Sequence, residues 1–118
     1  MKLFRWILGR WSQRQRALAL YQQGMASARK QDHAAAILEY SAVIDMAGAP
    51  ADVRAMALYN RSVVHSAAHN DAQATRDLQK LLETAGAAAN VRLEAKRKLV
   101  RMERASHRPE QSESPRDG

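Results

Sequence analysis

Apolar and small residues recur at spacings of three and four along most of this chain, a period that predicts α-helices. The pattern is clearest in the segments 53–68 and 71–83. It is carried there by Val53, Met56, Ala57, Val63, Val64, Ala67, Ala74, Leu78, Leu81 and Leu82. Alanine is abundant, aromatic residues make up 5% of the chain, and glycine and proline are few. These features together predict an all-α fold of closely packed helices.

The chain repeats itself at a separation of 38 residues. AGAPADVR at 47–54 returns as AGAAANVR at 85–92. The same separation pairs small residues with small ones and large with large: Gly24 with Ser62, Ala36 with Ala74, Tyr40 with Leu78, Val43 with Leu81 and Ile44 with Leu82. Since the segments between the repeated joints have helical periodicity, each repeat is predicted to be a pair of helices.

Residues that favour the start or the end of a helix occur at the predicted boundaries of the helix pairs. Asp32 and Asn70 are predicted N-caps, and Pro50 suits the first turn of a helix. The Gly-Ala joints at 48–49 and 86–87 suit helix ends, where glycine is the residue most often found. The predicted boundaries therefore follow the same repeat as the apolar positions.

The segments 17–45 and 57–83 resemble two tetratricopeptide repeats. In that family the first helix has a small residue midway, and the second has another small residue, a large residue and an apolar pair. These places are filled by Gly24, Ala36, Tyr40, Val43 and Ile44 in the first copy and by Ser62, Ala74, Leu78, Leu81 and Leu82 in the second. The chain departs from the pattern in having Ser27 and His65 where a tyrosine is usual, and its period is about four residues longer than the usual 34 or so.

The resemblance implies an α-α repeat of antiparallel helix pairs, a fragment of a right-handed superhelix, and the pattern of the first residues predicts an N-terminal amphipathic helix before it. The predicted parts are a basic amphipathic segment at 1–11, a repeat domain at 12–105 with repeats at about 17–46 and 53–84 and a capping helix at 90–105, and a disordered tail at 106–118.

The resemblance also implies a function, that of a non-catalytic protein–protein interaction module. In such scaffolds and adaptors the first helices of successive units line a concave surface that often receives a peptide or helix of a partner protein. The residues expected on or near this groove are Tyr21, Met25, Tyr59, Asn60, Val63, Ser66 and Lys98. Tyr21 and Tyr59 have two interpretations, contact with a ligand or filling between neighbouring helices. The partner itself cannot be identified from these residues.

The chain is strongly basic, with a formal net charge of +7 and a pI near 10.4. The excess is concentrated at 1–16, which carries five bases and no acid, and at 92–104, which carries six bases and two acids. Such ends attract anionic partners, including nucleic acid. Nucleic-acid binding is the less favoured alternative, because the basic segments offer no aromatic platform on which bases stack and no recognisable nucleic-acid motif.

The first eleven residues predict a short, basic amphipathic helix. Its apolar side carries Leu3, Phe4, Ile7, Leu8 and Trp11, its polar side carries Lys2, Arg5, Gly9 and Ser12, and Trp6 lies at the boundary. This helix can lie on an anionic membrane and make the protein a peripheral adaptor, or it can fold back to cap the first repeat or the groove. The same apolar face can also join two copies of the chain as a homodimer.

The junction with the repeat domain has the pattern of a capping box, Ser12 followed by Gln15, which predicts a helix start there. The preceding apolar stretch is interrupted by Arg5 and Arg10, and no small-residue cleavage site follows it, so we expect the mature chain to keep it. Eleven residues are too few to span a bilayer. We therefore expect a cytoplasmic protein, peripheral at the membrane if the first segment anchors it.

Patterns that indicate catalysis, a metal or a cofactor are missing from the sequence. The chain has no cysteine, which excludes thiolate ligands and disulfides. His65 and His69 are four residues apart on a predicted helix, but no third metal ligand accompanies them, and His65 is better interpreted as a packing residue. No glycine-rich phosphate loop or nucleophile elbow occurs. We expect neither an enzyme nor a bound cofactor.

Overall fold

The computed structural model describes the backbone of residues 2–112 and the side chains of residues 2–9 and 12–107. This part of the chain forms five α-helices and contains no strand. The helices are α1 (Lys2–Arg29), α2 (His33–Asp45), α3 (Ala51–Ala67), α4 (Asp71–Leu82) and α5 (Ala89–Ser112). The predicted all-α class is confirmed.

The helices pack in two layers. Each helix contacts the next one along the chain, and α1, α3 and α5 also contact one another in that order. These three helices therefore lie side by side, with α2 and α4 packed behind them. The short turns at 30–32 and 68–70 reverse the chain, so that each connected pair is an antiparallel hairpin.

The turns and joints recur at a separation of 38 residues. The turns at Gln31 and His69 are left-handed, with φ of 60° and 62°. The joints between the pairs contain the left-handed Gly48 and Gly86, with φ of 86° and 91°. Glycine suits these joints because the left-handed region is strained for residues with a Cβ atom.

The predicted N-caps stand in the right places but only one of them bonds as expected. The Asp32 carboxylate accepts a hydrogen bond from the backbone N–H of Ala35 at 3.2 Å. Asn70 precedes α4 without a capping bond from its side chain. Asn70 therefore occupies the predicted N-cap position, directly before the first residue of α4, but its side chain does not cap the helix by a hydrogen bond.

The repeated arginine at the end of each joint has a role that the sequence comparison did not reveal. Arg54 donates a hydrogen bond to the carbonyl of Ala49 at 3.0 Å. Arg92 donates to the carbonyls of Leu82 and Thr84 at 2.8 and 2.9 Å. Carbonyls at the C-terminal end of a helix or in a joint lack intrahelical partners, so these guanidinium groups satisfy them and tie each joint to the helix that follows.

The core lies between the layers, and its closest approach is at Gly24. A Cβ atom on Gly24 would lie 2.5 Å from Cε1 of Tyr40, whose ring is buried against α1. The six residues interpreted as structural positions are all buried, namely Gly24, Ala36, Tyr40, Ser62, Ala74 and Leu78. In the second pair Ser62 and Leu78 stand where the first pair has Gly24 and Tyr40. Ser62 is larger than Gly24, and Leu78, which faces it from the opposing helix, is smaller than Tyr40.

Two predicted boundaries differ from the structure. No helix begins at Ser12, because α1 runs without a break from Lys2 and passes Gly9 and Ser12. The predicted capping helix 90–105 is longer than expected, since α5 continues to Ser112. Ser106 lies in this extension and bonds within the helix by donating to the carbonyl of Glu103. The end of the predicted tail, 113–118, lies outside the described residues.

We predict that Gly24→Ala destabilises the protein by about 1–2 kcal/mol, because the added methyl group forces Tyr40 out of its place and outweighs the gain in helix propensity. Urea unfolding followed by circular dichroism measures the change. Gly9→Ala is the matched control, since Gly9 is helical and a Cβ there meets nothing within 4 Å. An unchanged midpoint for Gly24→Ala would contradict the packing.

A second background tests whether Tyr40 is the cause. The second pair has leucine at the position of Tyr40, so Tyr40→Leu makes room above residue 24. Gly24→Ala should therefore cost less in the Tyr40→Leu background than in the wild type, which gives a measurable coupling between the two sites.

Candidate partner-binding surfaces

The layer formed by α1, α3 and α5 contains a small pocket of about 200 Å³. It is lined by Tyr21, Met56, Tyr59, Asn60, Asn90, Val91 and Glu94, so all three helices contribute. Aromatic and aliphatic surface forms most of the lining, with two amides and one carboxylate to orient a ligand. A pocket of this composition can receive one apolar side chain and bond to the backbone beside it.

Tyr21 is fixed in this pocket from two sides. Asn60 Nδ2 donates a hydrogen bond to the Tyr21 hydroxyl at 2.6 Å. The Tyr21 ring lies against that of Tyr40, with centroids 5.9 Å apart. Burial raises the pKa of Tyr21 above its ordinary value and, with the nearby Tyr21 hydroxyl, raises the pKa of Tyr40 to about 12. Both phenols therefore stay neutral at physiological pH, and the pocket offers fixed hydrogen-bonding groups.

Of the seven predicted groove residues, Tyr21, Tyr59 and Asn60 line this pocket and four do not. Met25 packs partly buried against the core, and Val63 is exposed. The Ser66 hydroxyl is buried with no hydrogen-bond partner among the described residues. Lys98 is half-buried, and its burial, with the neighbouring Arg101, lowers its pKa.

Four pocket residues were missed by the sequence analysis, namely Met56, Asn90, Val91 and Glu94. A signal for them was present, since Asn90 and Val91 belong to the second copy of the repeated joint. That joint was interpreted from the sequence only as a boundary between helices. The structure folds its last residues into the first turn of α5, beside α3.

A larger cleft, of about 800 Å³, was also missed. It lies between the first half of α1 and the joint before α3, and is lined by Gln13, Arg14, Gln15, Leu18, Gly48, Ala49 and Pro50. Arg14 crosses to Asp52 on α3 with an ion-pair distance of 3.2 Å, and this contact lowers the pKa of Asp52. Both side chains are about half exposed, so the pair contributes little stability.

The N-terminal segment extends beyond this cleft as the start of α1. Residues 2–9 are exposed, including the apolar Leu3, Phe4, Trp6, Ile7 and Leu8, which are 44–69% exposed. The side chain of Trp11, also expected on this face, lies outside the described residues. The segment continues α1 in the described structure and does not fold back to cap the first pair or the groove.

The face of α5 that points away from the other helices is basic. A shallow depression of about 310 Å³ is lined by Lys96, Arg97, Val100, Arg101 and Arg104. Arg97 pairs with Glu94 at 3.0 Å one turn earlier, and both side chains are about half exposed. The remaining bases give this face a surplus of positive charge.

A buried polar cluster joins the second helix pair to the first. Arg61 donates two hydrogen bonds to the Asp77 carboxylate at 2.7 and 2.8 Å, and a third to the Ser41 hydroxyl at 2.8 Å. Asp77 is 4% exposed. His65 Nε2 lies 3.9 Å from the same carboxylate, while its Nδ1 is buried with no hydrogen-bond partner among the described residues. Arg61 thus connects α2, α3 and α4, a role that sequence reasoning did not assign.

Neither metal ligands nor membrane spans are found in the part of the chain that the structure describes. No three His, Asp or Glu side chains there converge as metal ligands would. None of its helices combines the length and apolar character needed to cross a bilayer. Comparison with protein-family models, curated proteins and solved structures finds no match for this chain. The fold defines its class, an all-α protein of packed helix hairpins.

We predict that stability falls as the pH drops from about 7 to 5, because burial lowers the pKa of His65 below its ordinary 6.5. The unfolded chain then takes up its proton first, at the ordinary histidine pKa of 6.5, so protonation favours unfolding increasingly as the pH falls through that value and the effect fades above about pH 7. His65→Gln should flatten this part of the curve of unfolding free energy against pH.

The matched control is His69→Gln. His69 is exposed at a left-handed turn, and glutamine already occupies the corresponding position of the first pair as Gln31. The turn therefore accepts glutamine in the same backbone conformation. A pH curve that flattens equally in the two variants would show that the burial of His65 is not the cause.

Proposed function

We propose that this protein is a non-catalytic adaptor of the tetratricopeptide type, which binds a segment of a partner protein across α1, α3 and α5. The single observation that carries the proposal is the pocket in which Tyr21, Tyr59 and Asn60 meet between the three helices. Support also comes from the hairpins themselves, whose turns and joints recur 38 residues apart.

The pocket suits a peptide because its polar groups are already ordered before binding. Asn60 is bonded to Tyr21, and Tyr21 rests on Tyr40, so little side-chain entropy remains to be lost. Its volume of about 200 Å³ holds one side chain of a ligand, which the exposed Val63 on α3 can extend into a longer contact. Such a small interface predicts micromolar affinity.

We predict that Tyr59→Ala weakens binding of a peptide, selected from a random library on the full chain, by about tenfold or more, because an aromatic anchor at the centre of an interface is removed. Fluorescence anisotropy measures the dissociation constant. Leu38→Ala is the control, since Leu38 is 72% exposed on α2.

Nuclear magnetic resonance locates the same peptide. Shifts concentrated on α1, α3 and α5 support the groove. Shifts concentrated on α2 and α4, or equal affinity for wild type and Tyr59→Ala, would reject it.

A second candidate function, a peripheral membrane adaptor, is favoured by the exposed start of α1. Leu3, Phe4 and Ile7 are exposed on a segment that carries bases and no acid. A basic helix with a bare apolar face binds anionic lipid by burying that face at the level of the head groups. The repeat domain would then recruit its partner to the membrane surface.

We predict that the full chain sediments with vesicles rich in phosphatidylserine and not with phosphatidylcholine vesicles. Leu3→Ser with Ile7→Ser should lower the partition coefficient by about tenfold or more, because each removes exposed apolar surface. Leu38→Ser with Val63→Ser is the matched control, since these residues are exposed elsewhere on the protein. Failure of the wild-type chain to sediment would remove the membrane candidate and leave the groove untouched.

A further inference from the structure

The outer face of α5 is exposed where the corresponding faces of α1 and α3 are buried. On α1 and α3 the residues Ala17 and Gly24, and 38 positions later Ala55 and Ser62, are buried. A further 38 positions on, the residues are Leu93 and Val100, which are 47% and 45% exposed. In α1 this face is covered by α2, whereas α5 is the last described helix, so its corresponding face is open.

The residues of this face do not suit another hairpin helix of the same kind. Gly24 allows the Tyr40 ring to approach the backbone of α1, but Val100 stands at that position in α5. A helix that packs there must stay at the ordinary distance of about 8–10 Å between axes. Leu93 and Val100 are two turns apart and form one narrow apolar line along α5, which a partner helix can cover.

The charged residues beside the apolar line indicate the chemistry of a partner that covers it. The apolar line is flanked by Lys96 on one side and by Arg101 and Arg104 on the other. Within the described residues these three bases take part in no ion pair, while Arg97 is offset by Glu94. A second copy of this chain is disfavoured because its net charge is +7. An acidic partner would neutralise the bases on both flanks.

We infer that the outer face of α5 docks an acidic amphipathic helix of a partner protein, with its apolar stripe on Leu93 and Val100 and carboxylates against Lys96, Arg101 and Arg104. A membrane is the weaker occupant because the apolar line is narrow and has no aromatic residue. Single-stranded nucleic acid is also a less suitable occupant, because its bases stack on aromatic side chains and the apolar line has none. This site is separate from the groove between α1, α3 and α5, and binding there does not require a peptide in the groove.

The inferred contact is short. Residues 93–104 span about 18 Å at 1.5 Å per residue, the length of a helix of three to four turns. An interface of this size is below the standard class, so the affinity is expected in the micromolar range and should fall as salt screens the charges.

The test uses a labelled synthetic helix of about 18 residues with leucine along one face and glutamate on both flanks, titrated with the full chain in about 0.1 M salt. Two comparison peptides carry lysine in place of glutamate, or the same residues in a scrambled order with proline. The glutamate helix should bind in the micromolar range, and the scrambled and lysine peptides should bind at least about tenfold more weakly.

Charge reversal locates the site. Arg101→Glu with Arg104→Glu should weaken binding of the glutamate helix at least about tenfold, whereas Arg76→Glu with Lys80→Glu on α4 should change it less than about threefold. Both pairs of residues are exposed, and the helical circular dichroism signal should be retained. Tyr59→Ala should leave this binding unchanged.

Each contrary result overturns the inference in a recognisable way. Equal loss in the α4 variant, or equal binding of the scrambled peptide, would indicate unspecific charge attraction. Loss in Tyr59→Ala would place the peptide in the groove, which supports the proposed adaptor and rejects the α5 site. No binding of the glutamate helix, together with retention of duplex DNA or anionic vesicles that depends on Arg101 and Arg104, would assign this face to those partners.

Discussion

The ring of Tyr40 lies against the backbone of α1 at Gly24, and this contact sets how closely the first two helices pack. Tyr40 also supports the ring of Tyr21, which in turn accepts a hydrogen bond from Asn60 on α3. A chain of contacts thus leads from the buried core to the wall of the groove. The position of Tyr21 in the groove depends on a residue that no ligand reaches, because the close approach at Gly24 holds Tyr40 behind it.

The sequence was sufficient to predict what periodicity and punctuation determine. The helix pairs follow from the helical period, the small positions at Gly24 and Ser62 from the 38-residue repeat, and the joints at Gly48 and Gly86 from the preference for glycine at helix ends. The continuity of α1 through Ser12 could not be predicted in this way. A capping box is a strong local signal, but a helix that already exists on its N-terminal side satisfies the same N–H groups with its own carbonyls.

The pocket could be predicted only in part for a related reason. Tyr21, Tyr59 and Asn60 lie mid-helix, where register along the helix fixes the face on which a residue lies. Asn90, Val91 and Glu94 belong to the first turns of α5, and their position depends on how the joint places that helix against α3. The hydrogen bonds from Arg92 to the carbonyls of Leu82 and Thr84 contribute to that placement. The repetition of Arg54 as Arg92 marks this residue in the sequence but does not reveal which carbonyls it bonds.

The two hairpins solve the same packing problem with different polar chemistry. Ser27 donates a hydrogen bond to Glu39 in the first hairpin, and the corresponding residues in the second are His65 and Asp77. There Arg61 forms an ion pair with Asp77. A carboxylate as buried as Asp77 needs a paired guanidinium, since an isolated charge there would be costly. The second hairpin therefore carries a fixed, directional link to α2 that its counterpart does not provide.

The unbroken course of α1 has a mechanical consequence. Its exposed beginning and the Tyr21 wall of the groove belong to one helix, and a helix resists bending over such a short length. Any surface that holds residues 2–9 therefore also determines the direction in which the groove opens. The distance between the two ends is fixed too, at about 20–25 Å for residues 6 to 21 at 1.5 Å per residue.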